Sequence, residues 1–263
     1  MEARNGKEHL KFKYGRRALS LAAFVIVAIA LFASVAKAAP ITPINAIRAV
    51  PIDDKLVAMT FDDGPHPIYT RQILAALDAY GAKATFFMVG AEMEKYPDVV
   101  KEVLKRGHAI ENHTYSHPRD MRLIPEKDAL LEIEKNSRLI EKMTGARPTL
   151  FRPPRGMINS ALFNAAVKSG YSVVLWTVSA DHHEAVTPEM MAARVLRRTH
   201  PGAIILAHDG VTHSRWKDVA ATSILLETLT KKGYKFVTMP ELLKHKRKND
   251  IYNHFMTLFY IFS

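Results

Sequence analysis

The stretch Leu56-Val57-Ala58-Met59-Thr60-Phe61-Asp62-Asp63-Gly64-Pro65 decides the fold. Its first half is a short apolar run of the kind that forms a buried strand. Gly64-Pro65 then stops the strand and leaves two adjacent carboxylates where the chain turns. Neighbouring like charges repel, so the pair calls for a compensating cation, ligated by one Asp while the other stays free as a base. Taken alone, Asp-Asp-Gly-Pro reads better as a polar turn. A second stretch, His113-Thr114-Tyr115-Ser116-His117, supplies the missing ligands and tips the reading toward a metal.

Outward from this strand, apolar runs and helical periodicities alternate. Strands are expected over 56–61, 84–89, 108–112, 149–152, 171–178, 203–207 and 235–238. Helices are expected over 69–80, 97–106, 125–143, 160–168, 188–199 and 216–232, with a last one starting at Pro240. Gly81, Gly107, Gly145, Gly170 and Gly233 stand where helices stop, and Pro188 suits a first helical turn. Such alternation predicts an α/β fold with a parallel sheet, and roughly seven βα units predict a barrel. A βα barrel carries its chemistry at the C-terminal ends of its strands. Five polar clusters fall at such ends: Asp62-Asp63, the 113–117 stretch, Arg152-Pro153-Pro154, the 181–183 stretch and His208-Asp209.

The chain has 263 residues, 48% of them apolar, enough for one large domain with a sizeable core. Its net charge is +11, of which residues 1–38 contribute +5. A basic surface favours anionic partners, but no nucleic-acid motif is present and none is expected as a partner. Arg16-Arg17 closes a basic segment, residues 18–36 are uncharged and almost wholly apolar, and Ala36-Lys37-Ala38 fits an Ala-x-Ala cleavage site. Residues 1–38 therefore read as a signal peptide or a membrane anchor, with cleavage after Ala38 favoured. Either way the body of the protein is exported, and attachment to a membrane would run through this segment. Cysteine is absent, so no disulfide staples the exported domain. Residues 39–54, with Pro40, Pro43 and Pro51, read as a linker wrapping onto the catalytic domain of 55–245. The tail, 246–263, is apolar after a basic run but too short to span a bilayer; packing on the barrel's outside is expected.

His113 and His117 lie four apart, so on a helical turn their rings share a face. With Asp63 they make two imidazoles and one carboxylate, the ligand count of a catalytic zinc site with an open position. Such a metal would lower a water's pKa from ~16 toward 7 and polarise a carbonyl. Asp62 is then free to take the water's proton. His208 closes the apolar strand at 204–207, and Asp209-Gly210 ends it at once, so its ring faces the shared rim as a general acid rather than the core. Leu206, two residues earlier on the same face, would wall a small apolar pocket. Arg152 would orient Asp62 by charge-assisted hydrogen bonds. After Pro153-Pro154, the backbone N–H of Arg155 is the first one available to an oxyanion.

These four motifs, 60–65, 113–117, 152–156 and 206–208, closely resemble those of the polysaccharide deacetylases, carbohydrate esterase family 4 or the NodB-homology domain. The resemblance covers about residues 55–239. It implies a distorted (β/α)7 barrel and a divalent metal, usually zinc, on Asp63, His113 and His117. It further implies Asp62 as base, His208 as acid and the Arg155 backbone as oxyanion donor. The implied reaction removes acetyl groups from N-acetylglucosamine polymers, with peptidoglycan the first expectation and chitin oligomers the second. An O-acetyl xylan esterase and an inactive sugar-binding domain are the alternatives. One motif departs: Trp176-Thr177-Val178 is followed by Ser179-Ala180-Asp181-His182-His183, with histidine where the family has Trp. Asp181 is expected to partner Arg152, with Ser179 a bystander and Trp176 in the substrate pocket.

Overall fold

The computed structural model describes residues 44–181, 183–210 and 214–246. The predicted segment 1–38, residues 39–43 of the linker and, but for residue 246, the predicted tail 246–263 lie outside the described residues. Among the described residues no helix is long and apolar enough to cross a membrane.

Among the described residues there are eight strands and eight helices: β1 (Leu56–Asp62), α1 (Tyr69–Ala79), β2 (Ala84–Met88), α2 (Gly90–Lys95), α3 (Pro97–Lys105), β3 (Ala109–Asn112), α4 (Glu126–Thr144) and β4 (Leu150–Phe151) come first. After a short 3-10 turn, Pro154–Gly156, follow α5 (Ser160–Lys168), β5 (Ser172–Val173), β6 (Val178–Ser179), α6 (Pro188–Leu196), β7 (Ile204–His208), α7 (Trp216–Lys231), β8 (Lys235–Phe236) and α8 (Met239–Lys244). All ladders are parallel and run in the order β5-β4-β3-β2-β1-β7-β6, with β8 beside the start of β1. This is the curled half-barrel of the expected distorted (β/α)7 type, in which β1 pairs with β2, β7 and β8.

Alternation along the strands sorts the core into two layers. Val57, Met59 and Phe61 of β1 face outward with Phe86 and Ile205, where they meet Ile73, Leu77 and Leu225 of α1 and α7. Ala58 faces inward with Phe87, Leu150, Val174, Ile204 and Met239. These inward apolar groups fill the floor of the barrel. Thr60 and Asp62 are the next inward positions of β1, so the same period that builds the floor carries polar groups to the rim.

The strand expected over 171–178 is broken, and the reason lies in the segment read as a linker. Ile47 donates its N–H to Val173 O and accepts from Leu175 N. Val50 N donates to Gly202 O. Isolated bridges pair Ile47 with Val174 and Ala49 with Ala203. This strap takes up the backbone groups of residues 173–175 and 202–203, between β5 and β7, while β6 pairs with the upper part of β7. α2, unmarked by any periodicity in the sequence, is the other addition.

Gly202 sits at φ 79°, and a Cβ built on it would lie 1.7 Å from Val50 O. Nothing flexible is available to yield there. Gly202→Ala is expected to push the strap off the barrel and cost on the order of 2 kcal/mol or more. A lowered urea midpoint at unchanged slope would register it; an unaltered midpoint would show that the strap is not held there.

Candidate active site

Most residues singled out at the strand ends converge on one cavity of about 480 Å3 at the rim, lined by Asp62, Asp63, His113, His117, Arg155, Trp176, Asp181, Leu206, His208 and Arg215 among others; Arg152 and Asp209 lie fully buried behind it. Register explains part of this. Asp62 on β1 lies level with His208 on β7, so both side chains leave the same layer of the barrel.

Four non-glycine residues adopt left-handed φ among the described residues: Asp63, Thr114, His117 and Arg155, at 75°, 69°, 55° and 58°. Such backbone is costly for these residue types and gathers where side chains must be aimed. Three of the four line the cavity. His113 and His117 do not sit on a helical turn, as their spacing alone suggests. They flank an irregular loop after β3, held by Thr114 N donating to Asn112 Oδ1 (2.7 Å) and His117 N donating to Thr114 Oγ1 (3.2 Å). Buried Asn112 is itself fixed by donation to Ile133 O and Ser137 Oγ on α4, both at 2.7 Å. The two rings nonetheless converge.

Asp63 Oδ1 lies 3.4 Å from His113 Nε2 and 3.1 Å from His117 Nε2. Ligands at ~2.0–2.1 Å around a tetrahedral Zn2+ stand about 3.3 Å apart, so these three atoms fit a small divalent cation. His113 Nδ1 lies 2.7 Å from Arg152 O. A proton donated to that carbonyl leaves the Nε2 lone pair facing Asp63, the usual outer support of a metal-binding imidazole. The local field also favours positive charge. Burial opposes the imidazolium, yet Asp62 and Asp63 hold the His113 pKa above its ordinary value. Asp63 itself is pulled far down: burial would raise it, but hydrogen bonds from both histidines outweigh that.

Arg152 is fully buried within the barrel, its guanidinium 4.1 Å from the centre of the Phe87 ring. It donates to Asp62 Oδ1 at 2.7 Å, to Thr60 Oγ1 at 2.9 Å and to Leu175 O at 3.0 Å. Oδ2 of Asp62 is left on the side of His113, at 3.8 Å from Nε2. Arg152 thus contacts Asp62 directly, but its expected pairing with Asp181 does not occur. Arg152 points inward between β1 and β5, whereas Asp181 emerges beyond the end of β6 on the far side of the cavity. There Asp181 Oδ2 lies 2.8 Å from His208 Nδ1, an ion-pair contact whose angle falls short of an aligned hydrogen bond. Burial would lower the His208 pKa; Asp181, with Asp63 and Asp62, instead pushes it up to about 8. Ser179 takes part through its backbone, its carbonyl accepting from Arg194 Nε at 3.1 Å. Trp176, Leu206 and Arg155 reach the cavity wall.

Two further residues enter the site. Arg215 donates to Asp181 Oδ2 at 3.0 Å and to Asp63 Oδ2 at 3.5 Å. Asp218 Oδ1 accepts from His208 N at 3.0 Å and so fixes the end of β7. Burial, and then the Asp181 charge, push the Asp218 pKa up to about 7. The one sequence signal for them is an Arg-x-x-Asp spacing at the start of the helix that follows His208.

Residues 49–174 match the family model described as polysaccharide deacetylase. A peptidoglycan-N-acetylglucosamine deacetylase of Bacillus cereus is 43% identical over 201 residues, covering 75% of this chain and 92% of that protein. The peptidoglycan-N-acetylmuramic acid deacetylase PdaC of Bacillus subtilis is 36% identical over 75% of this chain and 41% of its own. Among solved structures, the Bc1960 peptidoglycan N-acetylglucosamine deacetylase superposes with a TM-score of 0.72 at 32% identity, over 77% of this chain and 95% of that one.

Proposed function

The chain belongs to the polysaccharide deacetylase family, and from that membership we propose that it is an exported, metal-dependent hydrolase removing N-acetyl groups from peptidoglycan. The observation that carries this reading is the convergence of Asp63 Oδ1 with Nε2 of His113 and His117, flanked by Asp62 on one side and His208 on the other. The peptidoglycan activity of the relatives supports the substrate, and the apolar segment at 18–36 supports export.

A divalent cation, zinc by the chemistry of the donor set, would be held by Asp63, His113 and His117, where it supplies Lewis-acid polarisation and acidifies water. Asp62 Oδ2, with Oδ1 anchored by Arg152, takes the proton of the attacking water. The backbone N–H of Arg155, presented by the left-handed turn after two prolines, donates to the oxygen on which charge develops. Leu206 and Trp176 wall the acetyl methyl. His208, held protonated by Asp181, gives its Nε2 proton to the leaving amine, which departs poorly without one.

Release of acetate from peptidoglycan, chitin oligomers and acetylated xylan, each with and without chelator, tests the reading. Chelator-sensitive release from peptidoglycan is expected. Release from xylan alone would make the protein an O-acetyl esterase, and release from none, with any metal, would make it a sugar-binding domain.

The Asp181 contact makes a signed prediction. Removing that carboxylate withdraws the charge favouring the imidazolium, so the His208 pKa falls. A bound dication would lower it from about 8 in the wild type already, and Asp181→Asn should move the alkaline limb of kcat lower still. Metal content should be unchanged, and Ser179→Ala should shift nothing. A limb that stays in place in Asp181→Asn would remove Asp181 from the proton-transfer machinery.

A further inference from the structure

Arg215 is buried apart from a small edge and stands between two functional carboxylates that follow different strands, Asp63 after β1 and Asp181 after β6. Its Nε donates to Gly210 O at 3.2 Å, which anchors the guanidinium to the turn after β7. That turn runs hard against β1: a Cβ on Gly210 would lie 2.0 Å from Asp63 O. The rest of the fork is divided. Nη1 goes to Asp181 Oδ2, the oxygen that also meets His208, and Nη2 goes to Asp63 Oδ2. Asp63 Oδ1, the oxygen facing both histidines, is left alone. Asp218 Oδ2 lies a further 3.8 Å from Nη1.

We propose that Arg215 is a positioning residue that ties the metal-ligating carboxylate to the carboxylate behind the general acid. By occupying Oδ2 of Asp63 it leaves that side chain one oxygen for the cation, and by holding Asp181 it fixes His208 across the cavity. The inference rests on the function proposed above. Three physical points support it. Asp63 Oδ2 and Asp181 Oδ2, both within 3.5 Å of Arg215, would repel one another without the guanidinium between them. A planar guanidinium presents several donors in fixed directions, whereas an ammonium is a single point charge and cannot span both partners in one pose. Groups that orient the ligands of a metal are worth ~10–100-fold in affinity or activity.

The test uses the full protein and three variants, Arg215→Met, Arg215→Lys and Arg215→Ala. Zinc affinity is read by competition with a chromogenic chelator, kcat and KM by acetate release, and folding by thermal denaturation. Arg215→Met should lower zinc affinity and kcat by ~10–100-fold, with KM within about twofold of wild type. Arg215→Lys should recover only part of either loss, because it restores charge without the span. Added guanidinium ion should restore kcat in Arg215→Ala at concentrations that leave wild type unaffected. Wild-type zinc affinity and kcat in Arg215→Met would overturn the proposal. So would losses that track a lowered melting temperature and that guanidinium does not reverse, which would make the contact a structural ion pair only. If wild type releases no acetate from any substrate, the functional reading fails, while zinc affinity still reports on the hold of Arg215 on Asp63.

Discussion

His113→Ala abolishes both acetate release and tight zinc binding in the expected result, and Asp63→Ala and His117→Ala do the same. The three donors stand within 4.8 Å of one another, and no fourth His, Cys, Asp or Glu among the described residues joins the group. A three-ligand site has no donor to spare. His113 should be the most sensitive, because its ring is wholly buried and its Nδ1 contact with Arg152 O ties the ligand to the strand that also orients Asp62. Loss there also leaves a void beside buried Arg152, so His113→Gln is the fairer variant if the Ala protein unfolds. Metal analysis of the purified variants checks the prediction. One zinc per chain retained by any of them would remove that residue from the ligand set.

The second large effect separates proton transfer from metal binding. Asp62→Asn and His208→Ala should each keep the metal and lose ~10²–10⁴ in kcat, the range typical of a general acid or base. Asn is chosen at position 62 because truncation would strand the fully buried guanidinium of Arg152, and breaking such a pair costs ~3–5 kcal/mol in stability. The amide oxygen still accepts from Arg152 Nη1 while the basic oxygen is gone. His208→Ala disturbs less, since its backbone N–H remains held by Asp218. An ester substrate separates the two roles further. An alkoxide leaves more readily than an amine, so His208→Ala should retain more activity on an acetate ester than on an amide, whereas Asp62→Asn should lose both equally. Equal losses in His208→Ala on the two substrates would contradict the assignment of His208 as the acid.

The sequence made β1 legible because a buried parallel strand is written as a nearly continuous apolar run, and its break at Gly64-Pro65 shows where the rim begins. Asp62 and Arg152 followed from the habit of barrels to carry chemistry at strand ends. The histidine pair was legible as a ligand pair, though its backbone was not: left-handed Thr114 and His117 have no composition signal, since the surrounding hydrogen bonds from Asn112 and α4 impose them. Asp181 was visible as a rim acid but its partner was not, because the choice between Arg152 and His208 depends on where β6 ends relative to β5. The strap hid for a similar reason. With three prolines in 39–54 the segment has no period, and two isolated bridges leave no alternation to read.

That strap also bears on the order in which the chain can assemble. Arg48 O accepts from Thr177 Oγ1, 129 positions further along the chain, and Val50 meets Gly202 later still. Closing loops of this length is slow compared with forming a helix or a neighbouring βα pair. β1 to β4 can pair stepwise as they are made, but the seam beside β5 stays open until β7 arrives. Through that interval two strand edges offer unpaired backbone groups, the condition under which a neighbouring chain can add itself to the sheet. Closure by the strap therefore marks the end of the aggregation-exposed phase of folding, and a chain shortened to begin at Lys55 would never leave it.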